Sequence, residues 1–292
     1  MDNFIEGAIE ANRANDGRVY AFPLNANYLN LFYNKDLFKD LGLSEPTNYQ
    51  EFLHCCEVLL ENGVAPTVSG CKDLWQNRYV GIDPLQAMNG KDPTWPTKLL
   101  NYEVKFTDPD CLEYFNRIEA FVKAGYLYDG SLGLTMPQAW VVFANGEAGM
   151  QLGASFYAAQ AFPEATPDFE VGVCPMPFND EGQEQVVFLH ANMTVVAVNQ
   201  KSDHVDATLK FLEWLSNVDN YTLLAQDLVS IVPVHKDIDY SKLDPAAKLW
   251  SHFSEYKSVP RALEPSTISS EFGQVVQNII LGIYTVQEAA ES

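Results

Sequence analysis

Segments that read as strands alternate with segments that read as helices along the whole chain, and this interleaving limits the fold more than any other feature. It predicts an α/β architecture and argues against an all-helical bundle or a β-sandwich. Strand patterns occur at 18–23, 29–33, 150–152 and 171–173, and the nearly unbroken apolar run at 194–198 suits a buried strand. The polar stretch Asn25-Ala26-Asn27-Tyr28 separates the first two and reads as a loop between buried elements. Thr47 with Gln50 reads as a capping box ahead of the face Phe52, Cys56, Leu59 and Leu60, which Asn62-Gly63 closes. Asp108-Pro109 opens another helix, with Leu112, Phe115, Ile118 and Val122 on its stripe and Gly125 as its stop. Thr135 and Gln138 repeat the capping-box pattern, and further helices are expected near 205–216, 245–256 and 268–281. Residues 180–184 read as a hairpin tip.

With 292 residues, 47% of them hydrophobic, the chain has material for one large core or two modest ones, and disorder is excluded. No apolar run approaches the roughly 20 residues of a membrane span. Its 39 acidic and 18 basic residues give a net charge of -21, which repels nucleic acid and anionic headgroups and makes a neutral ligand the default. The five cysteines form no C-x-x-C pair and read as small buried hydrophobes rather than a disulfide framework. There is no G-x-S-x-G, no H-E-x-x-H, no phosphate-cradling glycine loop and no metal-type Cys/His spacing. Neither cofactor nor metal is therefore expected. The opening Met1-Asp2-Asn3-Phe4 has neither the basic stretch nor the apolar core of an export signal.

One constellation is far more specific. Gly17-Arg18-Val19-Tyr20-Ala21-Phe22-Pro23, followed by Tyr33-Asn34-Lys35-Asp36-Leu37-Phe38, resembles the signature of the carbohydrate solute-binding proteins of ABC transporters, the group related to maltose-binding protein. Matching segments follow in family order: Pro46 to Phe52, Phe143 to Met150, Leu152 to Phe156, Gly172 to Pro177 and Ile231 to Val234. The resemblance implies a periplasmic-binding-protein-like type II fold of two lobes joined by crossover strands. It implies that 1–27 are a remnant of the first lobe with the first crossover, that 28–217 form the second lobe, and that 218–292 return to the first lobe with hinge and C-terminal helices. The first lobe is then expected to be incomplete, with its opening strands and the export signal missing.

In such a site, aromatic plates meet the C–H faces of a sugar while amides, carboxylates and hydroxyls bind its rim. By the resemblance, Phe156 stands at a stacking-tryptophan position and Trp75, beside Asp73, near another aromatic contact. Asn25, Asn27 and Tyr28 would bind the rim from the loop after the crossover, with Ser155, His190 and Asn192 close to the ligand. The residues alone allow plainer roles: Phe156 in a core helix with Ala159 and Phe162, the asparagines as turn caps, His190 bonded to backbone. Gly153-Ala154 stands where relatives have Asn-Gly, and the last helix lacks the aromatic pair of maltodextrin binders, which favours a mono- or disaccharide. The implied activity is capture of a sugar by lobe closure and delivery to ABC-transporter permease subunits, by a monomer outside the cytoplasm, in the periplasm or anchored at the cell surface. A glycoside hydrolase and a non-functional fragment remain as alternatives.

Overall fold

A computed structural model describes residues 2–14, 16–157, 165–190, 194–227, 232–243, 249–260 and 266–292. Eight strands occur among them: β1 Phe22–Pro23, β2 Asn27–Asn34, β3 Ala65–Val68, β4 Ala148–Ala154, β5 Val171–Pro175, β6 Val186–His190, β7 Val195–Val196 and β8 Lys257–Pro260. The chain divides into two compact units. One comprises 1–29, 154–159 and 187–260, the other 30–153, 160–186 and 261–292. These limits differ from the expected ones, because the chain enters the first unit at 187 rather than 218 and the last helices fall in the second. The reason is packing between distant segments. The Ser266–Ile280 helix lies so close to the Leu74–Asn77 helix that a Cβ on Gly273 would sit 2.2 Å from the Leu74 carbonyl oxygen, and Asn77 Nδ2 donates to the Gly273 carbonyl at 3.2 Å.

The larger unit is an α/β layer. β4 lies between β3 and β2, parallel to β3, and β5 pairs antiparallel with β2 from Asn30 opposite Pro175 to Asn34 opposite Val171. The Tyr49–Glu61 helix buries Tyr49, Phe52, Cys55, Cys56 and Leu59. Phe52 stacks on Phe121 of the Pro109–Lys123 helix at 5.7 Å, and burying such a ring is worth about 1.5–3 kcal/mol. Gly149 brings β4 close to the Tyr49–Glu61 helix: a Cβ there would lie 2.6 Å from Leu59 Cδ2 and would force the Leu59 side chain to shift. Helix starts follow the expected logic with one shift. The capping box of Thr135 and Gln138 is present, whereas the Tyr49–Glu61 helix is capped by Asn48, whose side chain accepts the Glu51 N–H. Thr47 instead donates its N–H and hydroxyl to the Glu51 carboxylate.

In the smaller unit Phe4 meets Phe22, Tyr221 and His235 edge-on. The Tyr221 hydroxyl donates to the Leu24 carbonyl at 2.7 Å and accepts the Val234 N–H at 3.0 Å, tying three segments distant in sequence. β6 pairs with the start of β2 and neighbours β8, while β1 and β7 form a separate two-stranded ribbon. The apolar run expected to be a buried strand thus contributes only Val195 and Val196, both partly exposed. Around 251–255 the chain makes a 3-10 turn, and the rest of the helix expected at 245–256 lies largely outside the described residues. All five cysteines are free and buried.

Candidate functional site

The start of β2 gathers four of the nine candidate residues. Asn27 and Tyr28, expected in a loop, are buried strand residues, because β6 pairs with them in register: Asn27 opposite His190 and Tyr28 opposite Leu189. His190 accordingly ends a strand. Ser155 follows β4 and clasps the same backbone. Its N–H donates to the Tyr28 carbonyl at 2.9 Å, its Oγ accepts the Tyr28 N–H at 3.1 Å, and Oγ donates to Asn27 Oδ1 at 3.4 Å. Phe156 is half-buried at the next position, with its ring edge-on to Tyr157 at 5.0 Å.

Side chains alternate along a strand, so Asn27 and Tyr28 leave opposite faces. The Tyr28 ring lies 5.0 Å from Phe253, and burial, with Tyr240 nearby, pushes its phenol well above the ordinary range. Tyr28 lines a cavity of about 570 Å³ in the smaller unit, together with Tyr240, Tyr256, Glu6, Lys236 and Ser258. Burial lifts the Tyr240 phenol to about 12. Both tyrosines therefore keep their hydroxyl protons at neutral pH. Lys236 Nζ donates to the Asp2 carbonyl at 3.0 Å.

Asn25 is buried, and its Oδ1 has no hydrogen-bond partner. A buried amide oxygen without a donor is costly, and in native proteins such an atom calls for water or a ligand. Asn192 lies outside the described residues.

The larger unit holds the other two candidates. Asp73 is committed at one oxygen, Oδ2, which accepts the Met136 N–H at 2.9 Å and so starts the Met136–Ala144 helix. Trp75 is 39% exposed, with its ring edge-on to Tyr79 at 6.2 Å. Three amides that the sequence reading missed belong to this unit. Asn30 in β2, Gln151 in β4 and Gln76 in the Leu74–Asn77 helix are fully buried, and neither polar atom of any of them has a partner. The available signal was a lone amide flanked by apolar strand residues, as in Leu29-Asn30-Leu31 and Met150-Gln151-Leu152. Among the described residues no cluster of His, Cys, Asp or Glu could hold a metal ion.

An α/β fold of two units is that of the type II solute-binding class. A family model for bacterial extracellular solute-binding proteins matches residues 2–221, and the chain belongs to that family. It is 25% identical over 244 residues to the multiple sugar-binding protein of Streptococcus mutans serotype c, covering 80% of this chain and 56% of that protein. It is also 25% identical over 284 residues to an uncharacterized ABC transporter extracellular-binding protein of Pyrococcus horikoshii, covering 94% of this chain and 60% of that one. The chain thus spans little more than half the length of these relatives. A chitin oligosaccharide binding protein shares the fold with a TM-score of 0.80 at 20% identity, over 99% of this chain and 72% of that one. Raffinose-bound RafE does so with a TM-score of 0.73 at 17% identity, over 98% and 76%. Members of the family are binding proteins, extracellular by description. No helix among the described residues is long and apolar enough to cross a membrane.

Proposed function

We propose that this chain forms the greater part of a monomeric protein that binds a neutral mono- or oligosaccharide without chemical change and delivers it to ABC-transporter permease subunits outside the cytoplasm. The observation that carries this reading is the cluster at the start of β2 in a member of a solute-binding family. Asn25 offers an unsatisfied amide oxygen, Asn27 and Ser155 form a polar pair, and on the opposite face of the strand Tyr28 borders a cavity of about 570 Å³. That volume falls within the range of about 300–1,000 Å³ typical of small-ligand sites. Hydroxyl donors on a sugar suit an amide acceptor, and aromatic faces suit its C–H surfaces.

Phe156, Trp75, His190, Asn192 and Asp73 complete the proposed contact set. A saturating sugar at a hundredfold excess over its Kd should stabilise the protein by about 2.7 kcal/mol. Phe156→Ala and Trp75→Ala should each weaken binding by about fivefold, the equivalent of roughly 1 kcal/mol for a lost ring-face contact, and leave the circular dichroism unchanged. Calorimetry giving the same Kd for wild type and both variants would remove those two residues from the site.

A further inference from the structure

The Trp95–Leu100 helix ends differently from its neighbours. The Tyr49–Glu61, Pro109–Lys123 and Met136–Ala144 helices each end in a cap residue followed by a glycine at positive φ, namely Gly63, Gly125 and Gly146, where a side chain would be strained. After the Trp95–Leu100 helix the same position is held by Tyr102 at φ 60°, the one non-glycine in that region among the described residues. Its N–H donates to the Leu99 carbonyl at 3.1 Å and the Glu103 N–H to the Lys98 carbonyl at 2.9 Å, so the turn closes as a glycine would close it. Tyr102 is 89% exposed, and packing within the protein therefore does little to offset the strain of its Cβ. A strained side chain held without such compensation points to a contact beyond the fold itself.

Tyr102 borders a cavity of about 530 Å³ that lies within the larger unit. Leu99, Val104, Phe106, Phe115, Phe272 and Val275 form its apolar walls. The three phenylalanines touch one another, with ring centroids 5.8 to 6.1 Å apart, the spacing at which aromatic rings attract. Glu271, Glu291 and Lys105 bring charges of both signs to the lining. The volume suits a small ligand, and none of the nine candidate sugar contacts lines this cavity.

We infer that this cavity is a second binding site, separate from the candidate sugar site, for a small uncharged aromatic molecule that Tyr102 covers. Apolar walls penalise a buried charge that lacks a partner, which selects a neutral ligand, and the phenylalanine cluster offers ring edges and faces to an aromatic one. Bound ligand would give the Tyr102 ring the contact that the protein alone denies it. The strain is then the cost of presenting that ring, and glycine would lose the contact. The inference is independent of sugar binding, because the two sets of residues do not overlap.

The test titrates the purified protein with N-phenyl-1-naphthylamine, an uncharged aromatic probe whose fluorescence rises on leaving water. Saturable binding of one probe per chain is expected. Tyr102→Gly should raise the urea midpoint, since it relieves the strained turn, and at the same time weaken probe binding by about fivefold, as the loss of one ring contact requires. Phe156→Ala and Trp75→Ala should leave probe binding as it is in the wild type. Absence of saturable binding, a Kd in Tyr102→Gly within about twofold of wild type, or a Kd that rises in Phe156→Ala or Trp75→Ala instead would overturn the inference. A lower urea midpoint in Tyr102→Gly would overturn it as well, by showing that the ring serves the fold.

Discussion

Ser155 is the residue at which the account of the site is most exposed to a simple experiment. Changing it to alanine removes the Oγ that accepts the Tyr28 N–H at 3.1 Å, while the Ser155 N–H to Tyr28 carbonyl bond at 2.9 Å survives. Tyr28 is 4% exposed, so its amide has no water to replace the lost acceptor. An orphaned buried donor costs about 1–3 kcal/mol. The second lost bond, from Oγ to Asn27 Oδ1 at 3.4 Å, is near the limit of hydrogen-bond length and adds little. The estimate is therefore about 2 kcal/mol of local stability at the start of β2. Where amide exchange follows local opening, Tyr28 should exchange about 5 to 150 times faster in Ser155→Ala than in wild type, and Ser155→Thr, which keeps a hydroxyl, should restore most of the protection. Sugar affinity should fall with it, because Asn27 and Tyr28 lose their brace. A Tyr28 amide whose exchange stays within about twofold of wild type, with an unchanged urea midpoint, would refute the reasoning.

Other consequences are equally direct. Asp83 is fully buried, with Oδ2 2.8 Å from Arg78 Nε and Oδ1 capping the Pro84–Lys91 helix, so Asp83→Ala should cost about 3–5 kcal/mol in urea unfolding. Replacing Arg78 and Asp83 together by apolar residues of similar size should recover much of that loss. Burial pushes the Cys55, Cys71 and Cys111 thiols up to about 12 and raises Cys56 and Cys174 as well. A thiol reagent at pH 8 should therefore label the five slowly in the native state and completely in urea. Above the ordinary thiol value of 9.0 the unfolded thiols ionise while the folded ones do not, so stability should decline as pH rises. The Lys98 ammonium and the Thr94 hydroxyl and N–H hold the partly exposed Asp92 carboxyl at about 2, against an ordinary 3.8. Its contribution is present above pH 3.8 and lost as pH falls towards 2, and carboxyl NMR should show the midpoint rising in Lys98→Met.

What could be read from the sequence follows from how local each determinant is. The capping box at Thr135 joins a side chain to backbone three residues away, so residue identity alone announces it, and it is formed. Asn48 displaced Thr47 as a cap because two adjacent residues can each serve, and only the path of the chain decides between them. β7 shrank to two residues because strand length depends on neighbours remote in sequence. The limits of the two units were equally hidden, since the close approach at Gly273 joins residues about two hundred positions apart.

The candidate residues came from the family resemblance, and their arrangement could not be read from the sequence. The pairing of Asn27 with His190 and the clasp by Ser155 are products of strand register, and short polar residues before a strand pattern look like a loop until the register is known. Asn30 and Gln151 were passed over because each interrupts an apolar run by a single residue, which periodicity treats as noise.

The measurement that bears most directly on carbohydrate capture is isothermal titration calorimetry of the purified chain against a panel of neutral mono- and oligosaccharides, with a sugar phosphate and a chromogenic glycoside included. The account predicts saturable binding of at least one neutral sugar, loss of most of that affinity in Asn27→Ala, no response to the phosphate and no release of chromophore. A folded protein that binds none of the sugars, or that hydrolyses the glycoside, would contradict it.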